Sequence, residues 1–170
     1  YTQSKNIKIV SSTNGHIFAK NDNAEKVVKS GLYSLIFAID GITQKTYERY
    51  RKGGNLNTVI TGINRVVAAK RALNSKTPFV NLRFIPMKHN EHEIPKLKDF
   101  AESLGVDALT IKTLNPHDEF ITEEDSMKFL PENPVYQRFK YDPATHSRIR
   151  LKQNPCKTLW NMPVIHCDGT

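Results

Sequence analysis

The residue that most needs a chemical explanation is Arg83. It stands inside the mostly apolar stretch Phe79-Val80-Asn81-Leu82-Arg83-Phe84-Ile85. A charge there requires a partner or a cavity. A guanidinium in that place either closes a structural ion pair or grips a carboxylate with its two-pronged fork. Asn14 and Asp40 each precede a glycine just after an apolar run. Asn-Gly and Asp-Gly are common turn pairs, so taken singly each reads as a turn before it reads as a site. Lys112 follows the run Ala108-Leu109-Thr110-Ile111, where a lysine of lowered pKa could form a Schiff base with a carbonyl compound. His89 and His92 have no third ligand beside them and read as surface or helix-capping groups, not a metal site. Cys156 and Cys167 are the two thiols of the chain. They read either as plain thiols or as the start of a metal-binding cysteine set.

The elements that must position these residues alternate between short apolar runs and longer amphipathic ones. Strands are predicted at Ile7–Val10, Leu35–Ile39, Phe79–Ile85 and Ala108–Ile111; the unbroken run Leu35–Ile39 has the pattern of a strand buried on both faces. Ser11 to Gly15 reads as a turn. Asn23 is expected to cap a short helix that ends at Gly31. Thr43 is expected to cap another that ends near Gly53-Gly54. Leu56, Val59, Ile60, Ile63, Val66, Val67 and Leu73 form one stripe of a longer helix. Ile94, Leu97, Phe100, Ala101 and Leu104 form a second stripe, closed by Gly105. A strand–helix repeat of this kind predicts an α/β fold, a parallel sheet with helices outside. Four strands do not close a barrel, so the expected architecture is a partial (β/α) barrel followed by an irregular C-terminal extension. The predicted divisions are a core over 1–115, a linker or covering segment over 116–154 interrupted by Pro131, Pro134 and Pro143, and a short cysteine-bearing unit over 155–170. Thr122 is expected to cap a helix through Leu130, and Val164–Gly169 to open a hairpin.

In parallel α/β sheets ligands bind beyond the C-terminal ends of the strands. That rule selects Thr13-Asn14, Asp40, the stretch Pro86 to Asn90, and Lys112 to Asn115. If the third strand alternates, Asn81, Arg83 and Ile85 share one face, which in a barrel faces the lumen.

The 170 residues carry 25 Lys+Arg against 17 Asp+Glu, a net charge of +8. This favours anionic partners in general. The cations are spread over helix faces, with one denser run from Arg138 to Lys152. No aromatic-and-basic ribonucleoprotein pattern and no zinc-finger spacing accompanies them, so nucleic-acid binding is not expected. No stretch approaches the apolar length needed to span a bilayer, so no membrane partner is expected, and the expected location is the cytoplasm.

Five segments resemble the radical S-adenosylmethionine (radical SAM) family. Ile9-Val10-Ser11-Ser12-Thr13-Asn14-Gly15 is similar to its strand-plus-TNG segment. Phe37-Ala38-Ile39-Asp40-Gly41 with Tyr47 to Gly54 resembles its S-x-D-G … R-x-G segment. Arg83 to Ile94 resembles the next strand and the Asn-led start of its helix, and Leu104-Gly105-Val106-Asp107 with Ile111-Lys112-Thr113 the strand after that. Cys156-Lys157-Thr158-Leu159-Trp160 with Val164 to Gly169 resembles the opening of a SPASM extension. The segments stand in the family's order and cover nearly the whole chain.

The resemblance implies a (β/α) barrel enzyme that cleaves S-adenosylmethionine to a 5′-deoxyadenosyl radical with a 4Fe–4S cluster. It implies Asn14, Asp40, Arg51, Arg83 and Lys112 on the SAM side or the substrate rim, and Cys156 as a ligand of an auxiliary 4Fe–4S cluster. It assigns no catalytic residue. It further implies a small-molecule or peptide substrate and an electron donor such as flavodoxin or ferredoxin. Ala38 departs from the serine that the family often places two before the aspartate to touch the SAM ribose. The three-cysteine CxxxCxxC motif is not in the chain; the chain starts at Tyr1 and stops just after Asp168-Gly169, and both ends are expected to be cuts. On its own the chain is expected to be inactive and to self-associate through its open sheet edge. A Schiff-base barrel lyase using Lys112 and a non-enzymatic anion-binding α/β domain remain the alternatives.

Overall fold

The computed structural model of the chain describes residues 3–115, 124 and 128–151. Its centre is a parallel sheet of four strands in chain order: β1 (Val10–Thr13), β2 (Ser34–Ala38), β3 (Phe79–Phe84) and β4 (Ala108–Ile111). Between them run α1 (Asn23–Lys29), α2 (Gln44–Tyr50), α3 (Leu56–Ala72) and α4 (Leu97–Leu104), the last entered through a 3-10 turn at Glu91–Lys96. The predicted α/β class and parallel strand–helix order are therefore observed, as an open sheet consistent with part of a (β/α) barrel.

The register sorts the two faces. Leu35 lies beside Val80, and Phe37 beside Leu82. With Ile39 these residues are buried against Val59, Ile63, Val66 and Val67 of α3 and Ala101 and Leu104 of α4, which together form the core. The opposite face carries Ser34, Ile36 and Ala38 beside Phe79, Asn81 and Arg83, with Ala108 and Thr110 next in line. Side chains alternate along a strand, and none of these second-face residues belongs to that core cluster. Phe79 is 44% exposed there. The sheet thus has one dry face and one partly polar face, on which Ser34 and Ile36 are buried and Phe79 is exposed.

Several boundaries differ from the sequence reading. The first strand begins at Val10 and takes in Ser11-Ser12-Thr13, which reads as a turn by residue type. Backbone pairing decides it: Val10 to Thr13 align with Ser34 to Phe37, and an edge strand does not need an apolar pattern on both faces. Ile7 and Ile9 remain exposed ahead of it. Helix α1 starts at Asn23 itself, whose side chain donates to the Ile17 carbonyl instead of capping. Leu73 falls beyond α3 and is exposed. The proline-broken linker contains an antiparallel hairpin, β5 (Phe139–Asp142) and β6 (Ser147–Arg150). Pro143 sits in its turn, where Asp142 accepts from the Ala144 N–H and the Thr145 hydroxyl. The predicted Thr122 cap and the Val164–Gly169 hairpin lie outside the described residues. Among the described residues no helix is long and apolar enough to cross a membrane.

Candidate functional site

Asp40 lies two residues beyond the end of β2 and is fully buried. Its Oδ2 receives the Arg51 Nε at 2.8 Å and Nη2 at 2.6 Å, and its Oδ1 receives the Ile85 N–H at 3.1 Å. Burial pushes the Asp40 carboxyl up from its ordinary range, and the Arg51 guanidinium opposes that rise. Arg51 is placed by the end of α2, whose start is fixed by a capping box between Thr43 and Thr46. The next residue, Gly41, allows the turn to pass against α2: a Cβ there would stand 2.3 Å from the Tyr47 nitrogen.

Asn90 locks the loop after β3 to the same spot. It is fully buried; its Nδ2 donates to the carbonyls of Asp40 and Ile85, and its Oδ1 accepts the Met87 N–H at 2.6 Å. Glu93, also buried, takes the Ile42 N–H at 2.9 Å and the hydroxyls of Thr46 at 2.6 Å and Thr43 at 3.2 Å. These two side chains tie the β2–α2 and β3–α4 loops into one rigid rim.

His89 is buried in this rim, with Phe129 packed edge-on over its ring. Neither ring nitrogen completes a hydrogen bond, although the Thr46 backbone lies nearby. Burial and then the Arg49 charge hold the imidazole below its usual pKa. The segment carrying Phe129 is fastened to the rim by the Lys88 N–H to the Phe129 carbonyl and by the Lys88–Glu132 ion pair.

The partly polar face supplies the remaining candidates. Arg83 projects from the penultimate position of β3, aligned with Ala38 on one side and Thr110 on the other. Its Nε is buried without a partner, and no ion pair or hydrogen bond satisfies the guanidinium among the described residues. Beside it the Thr110 hydroxyl donates to the Asn81 Oδ1 at 3.0 Å. Lys112 continues the β4 ladder, its N–H donating to the Phe84 carbonyl at 2.9 Å. Alternation puts it on the face of Thr110 and Arg83. It is solvent-exposed, without the burial that a Schiff-base lysine uses. Asn14 is exposed at the end of β1, its Oδ1 accepting the His16 N–H at 3.3 Å.

The five residues singled out from the sequence therefore all lie at or near one end of one sheet, but in two different states. Asp40 and Arg51 are consumed by each other. Among the described residues Arg83 and Lys112 have no side-chain partner, and Asn14 keeps only its Nδ2 free, its Oδ1 being taken by the His16 N–H. Cys156 and Cys167 lie outside the described residues. Among the described residues no group of three His, Cys, Asp or Glu could hold a metal ion. The sequence reading placed Asn90 in the strand-end stretch Pro86 to Asn90 without a role, did not single out Glu93, and took His89 for a surface or helix-capping group, where the structure buries all three. The only available signal was the crowding of polar residues between Pro86 and Ile94.

No family model matches the chain. It is similar to a GTP 3′,8-cyclase of Hydrogenovibrio crunogenus, 31% identical over 108 residues, which is 63% of this chain and 30% of that protein. It is also similar to a probable GTP 3′,8-cyclase of Methanocaldococcus jannaschii, 28% identical over 99 residues (58% of this chain, 31% of that protein). A probable GTP 3′,8-cyclase of Metallosphaera sedula is 28% identical over 106 residues, 62% of this chain and 31% of that protein. The chain spans about a third of the length of these curated relatives.

Proposed function

We propose that this chain is part of a radical SAM enzyme and contributes the later strands of its barrel core. The observation that carries the reading is the similarity to three GTP 3′,8-cyclases over about three-fifths of the chain, on a sheet whose four parallel strands run in chain order. The TNG, Asp40-Gly41 and Asn90 segments all fall at the C-terminal ends of those strands, where a barrel enzyme binds its ligands.

The residues described fit S-adenosylmethionine in part. Its charged amino-acid end and its ribose call for polar groups at the strand ends, and Asn14, Arg83 and Lys112 are free to serve. Ala38 offers no hydroxyl. The 4Fe–4S cluster does not fit the described residues, which contain no three-ligand group. Two cysteines in 170 residues do not make the three-cysteine motif, so no step is derived through the cluster. An auxiliary cluster at Cys156, as in a SPASM extension, is a separate proposal resting on the Cys156 to Trp160 segment alone. A flavodoxin or ferredoxin electron donor belongs to the same proposal for the whole enzyme.

The substrate of this enzyme is a small molecule or peptide, and the relatives' names make GTP the first compound to test. The experiment is an anaerobic preparation of the full-length protein that carries this chain, reduced with dithionite in the presence of S-adenosylmethionine. Bound iron and release of 5′-deoxyadenosine are expected. A protein without iron that leaves S-adenosylmethionine intact overturns the reading.

A further inference from the structure

We propose that the cavity between the end of α3 and the chain entering β3 and β4 is a binding site for a phosphate group, with Arg71 and Lys76 as its cations. It lies at the opposite end of the sheet from Asp40 and Asn90, and it stands independently of the radical SAM reading.

Three observations converge. First, there is room. A cavity of about 370 Å³ is lined by Lys70, Arg71, Asn74, Ser75, Lys76 and Asp107, a volume that suits a small organic ligand. Its walls come from the last turn of α3 and from the residues that lead into β3 and β4. β3 runs from Phe79 to Phe84, so at roughly 3.3 Å per residue about 17 Å of strand separates this end of the sheet from the other. Second, the charges in the lining do not cancel. Asp107 is its one carboxylate, and Oδ2 already receives the Lys70 Nζ and the Val80 N–H. Arg71 and Lys76 make no ion pair and no side-chain hydrogen bond among the described residues. Two positive charges are left over. Third, the helix end does not occupy them. The last carbonyls of α3 are satisfied by backbone instead: Leu73 N–H donates to Ala69, Asn74 N–H to Arg71 and Ser75 N–H to Lys70.

Arg71 is also held in place. Gly105 ends α4 with a φ of +66°, and a Cβ there would stand 2.8 Å from the Arg71 Nη2. The guanidinium therefore lies against bare backbone, where a side chain would displace it. Its planar fork suits two phosphate oxygens. Lys76, exposed on the chain before β3, adds a mobile point charge. Ser75 is committed elsewhere, its hydroxyl taking the Thr77 N–H and donating to the Thr77 carbonyl. The exposed Asn74 amide remains as a neutral donor. Three donor groups match the three terminal oxygens of a phosphate, one more than a carboxylate offers.

The test is equilibrium binding by calorimetry to the full-length protein that carries this chain, with inorganic phosphate in one arm, ribose 5-phosphate in a second and ribose in a third. The two phosphate probes are expected to bind and ribose is not. The double variant Arg71→Gln, Lys76→Gln is expected to weaken both phosphate probes by about tenfold or more. Both side chains are exposed, so the fold should tolerate the changes, and an unchanged thermal melt checks that it does. Lys5→Gln, Lys20→Gln removes the same charge from exposed positions elsewhere and should leave binding within about twofold. Tighter binding of ribose 5-phosphate than of inorganic phosphate identifies the ligand as a phosphate ester; equal or weaker binding identifies free phosphate. No binding of either phosphate probe to the parent overturns the proposal. So does an unchanged affinity in the Arg71, Lys76 variant, or an equal loss in the Lys5, Lys20 variant. None of these readouts needs iron or turnover, so a failure of the radical SAM reading is seen separately.

Discussion

Asp40 and Arg51 meet through one carboxylate oxygen: Oδ2 receives both Nε and Nη2, while Oδ1 is turned to the Ile85 N–H. The pair is asymmetric in burial, with the Asp40 side chain fully enclosed and the Arg51 side chain 29% exposed. Removing the exposed partner is therefore the damaging change, because it strands a buried charge. Arg51→Ala is expected to cost about 3 kcal/mol of unfolding free energy in urea titrations. Asp40→Asn should cost less, since its amide nitrogen and oxygen stay neutral in the same space.

The same pair sets a pH signature. The folded Asp40 carboxyl titrates above its ordinary value because of burial. As pH rises past the unfolded carboxylate value of about 3.9, the unfolded chain releases its proton before the folded one does. Asp40 therefore subtracts stability with rising pH through that window. Asp40→Asn should remove this component, so the difference in stability between variant and parent should drift in the variant's favour from about pH 4 toward neutrality. A difference that stays flat across the range would show that the carboxyl is not displaced.

Asn90 satisfies three main-chain groups from two different loops. In Asn90→Ala the Met87 N–H and the carbonyls of Asp40 and Ile85 lose their partner in a dry setting. The expected loss is about 3 kcal/mol. Asn90→Asp keeps an acceptor for the Met87 N–H but sets a carboxylate against two carbonyls, so it should be worse than alanine at neutral pH and recover on acidification. Thermal melts of the two variants at two pH values check the crossing.

His89 gives the opposite slope. Its imidazole is held below its usual value by burial first and by Arg49 second, with Glu93 pulling the other way and His92 adding to the depression. Stability is complete above the unfolded histidine value of about 6.5 and declines as pH falls through the window beneath it, because the unfolded chain takes up the proton first. The Phe129 ring closes over this histidine, so protonation should also loosen the segment that carries it. His89→Leu is expected to flatten the acid limb of a stability-versus-pH curve while leaving the neutral plateau within about 1 kcal/mol. An unchanged acid limb would refute the assignment.

How far the sequence reveals this arrangement depends on whether residue type or pairing decides the structure. The apolar run at Leu35 to Ile39 and the stripe of α3 announce themselves, because burial selects them directly. β1 does not, since Ser11-Ser12-Thr13 enters the ladder through its backbone alone. Gly41 is instructive in another way. The Asp-Gly pair reads as a turn that exploits positive φ, yet Gly41 is not among the glycines with positive φ. It is needed because α2 passes too close for any side chain. Glu93 and Asn90 are ordinary surface residue types, and only the meeting of two loops remote in sequence buries them. Arg83 is legible as an anomaly, but that Asp40 does not neutralise it follows only from the pairing of Asp40 with Arg51 and the Ile85 N–H.

The last expectation concerns the edges. Among the described residues β1 and β4 each pair on one side only, and Ile7, Ile9 and Val10 are 54%, 40% and 38% exposed along the β1 edge. Unpaired strand groups next to exposed apolar side chains invite another chain. Phe79, exposed on the second face of the sheet, adds apolar area. Produced alone, this 170-residue chain is therefore expected to self-associate, with β1 as the contact, and sedimentation should show a mass that rises with concentration. Val10→Lys places a charge on the edge and should shift the chain toward monomer without unfolding it, because Val10 is already half out of the core. A monodisperse monomer over a wide concentration range would show that the described edge is covered by some other part of the chain.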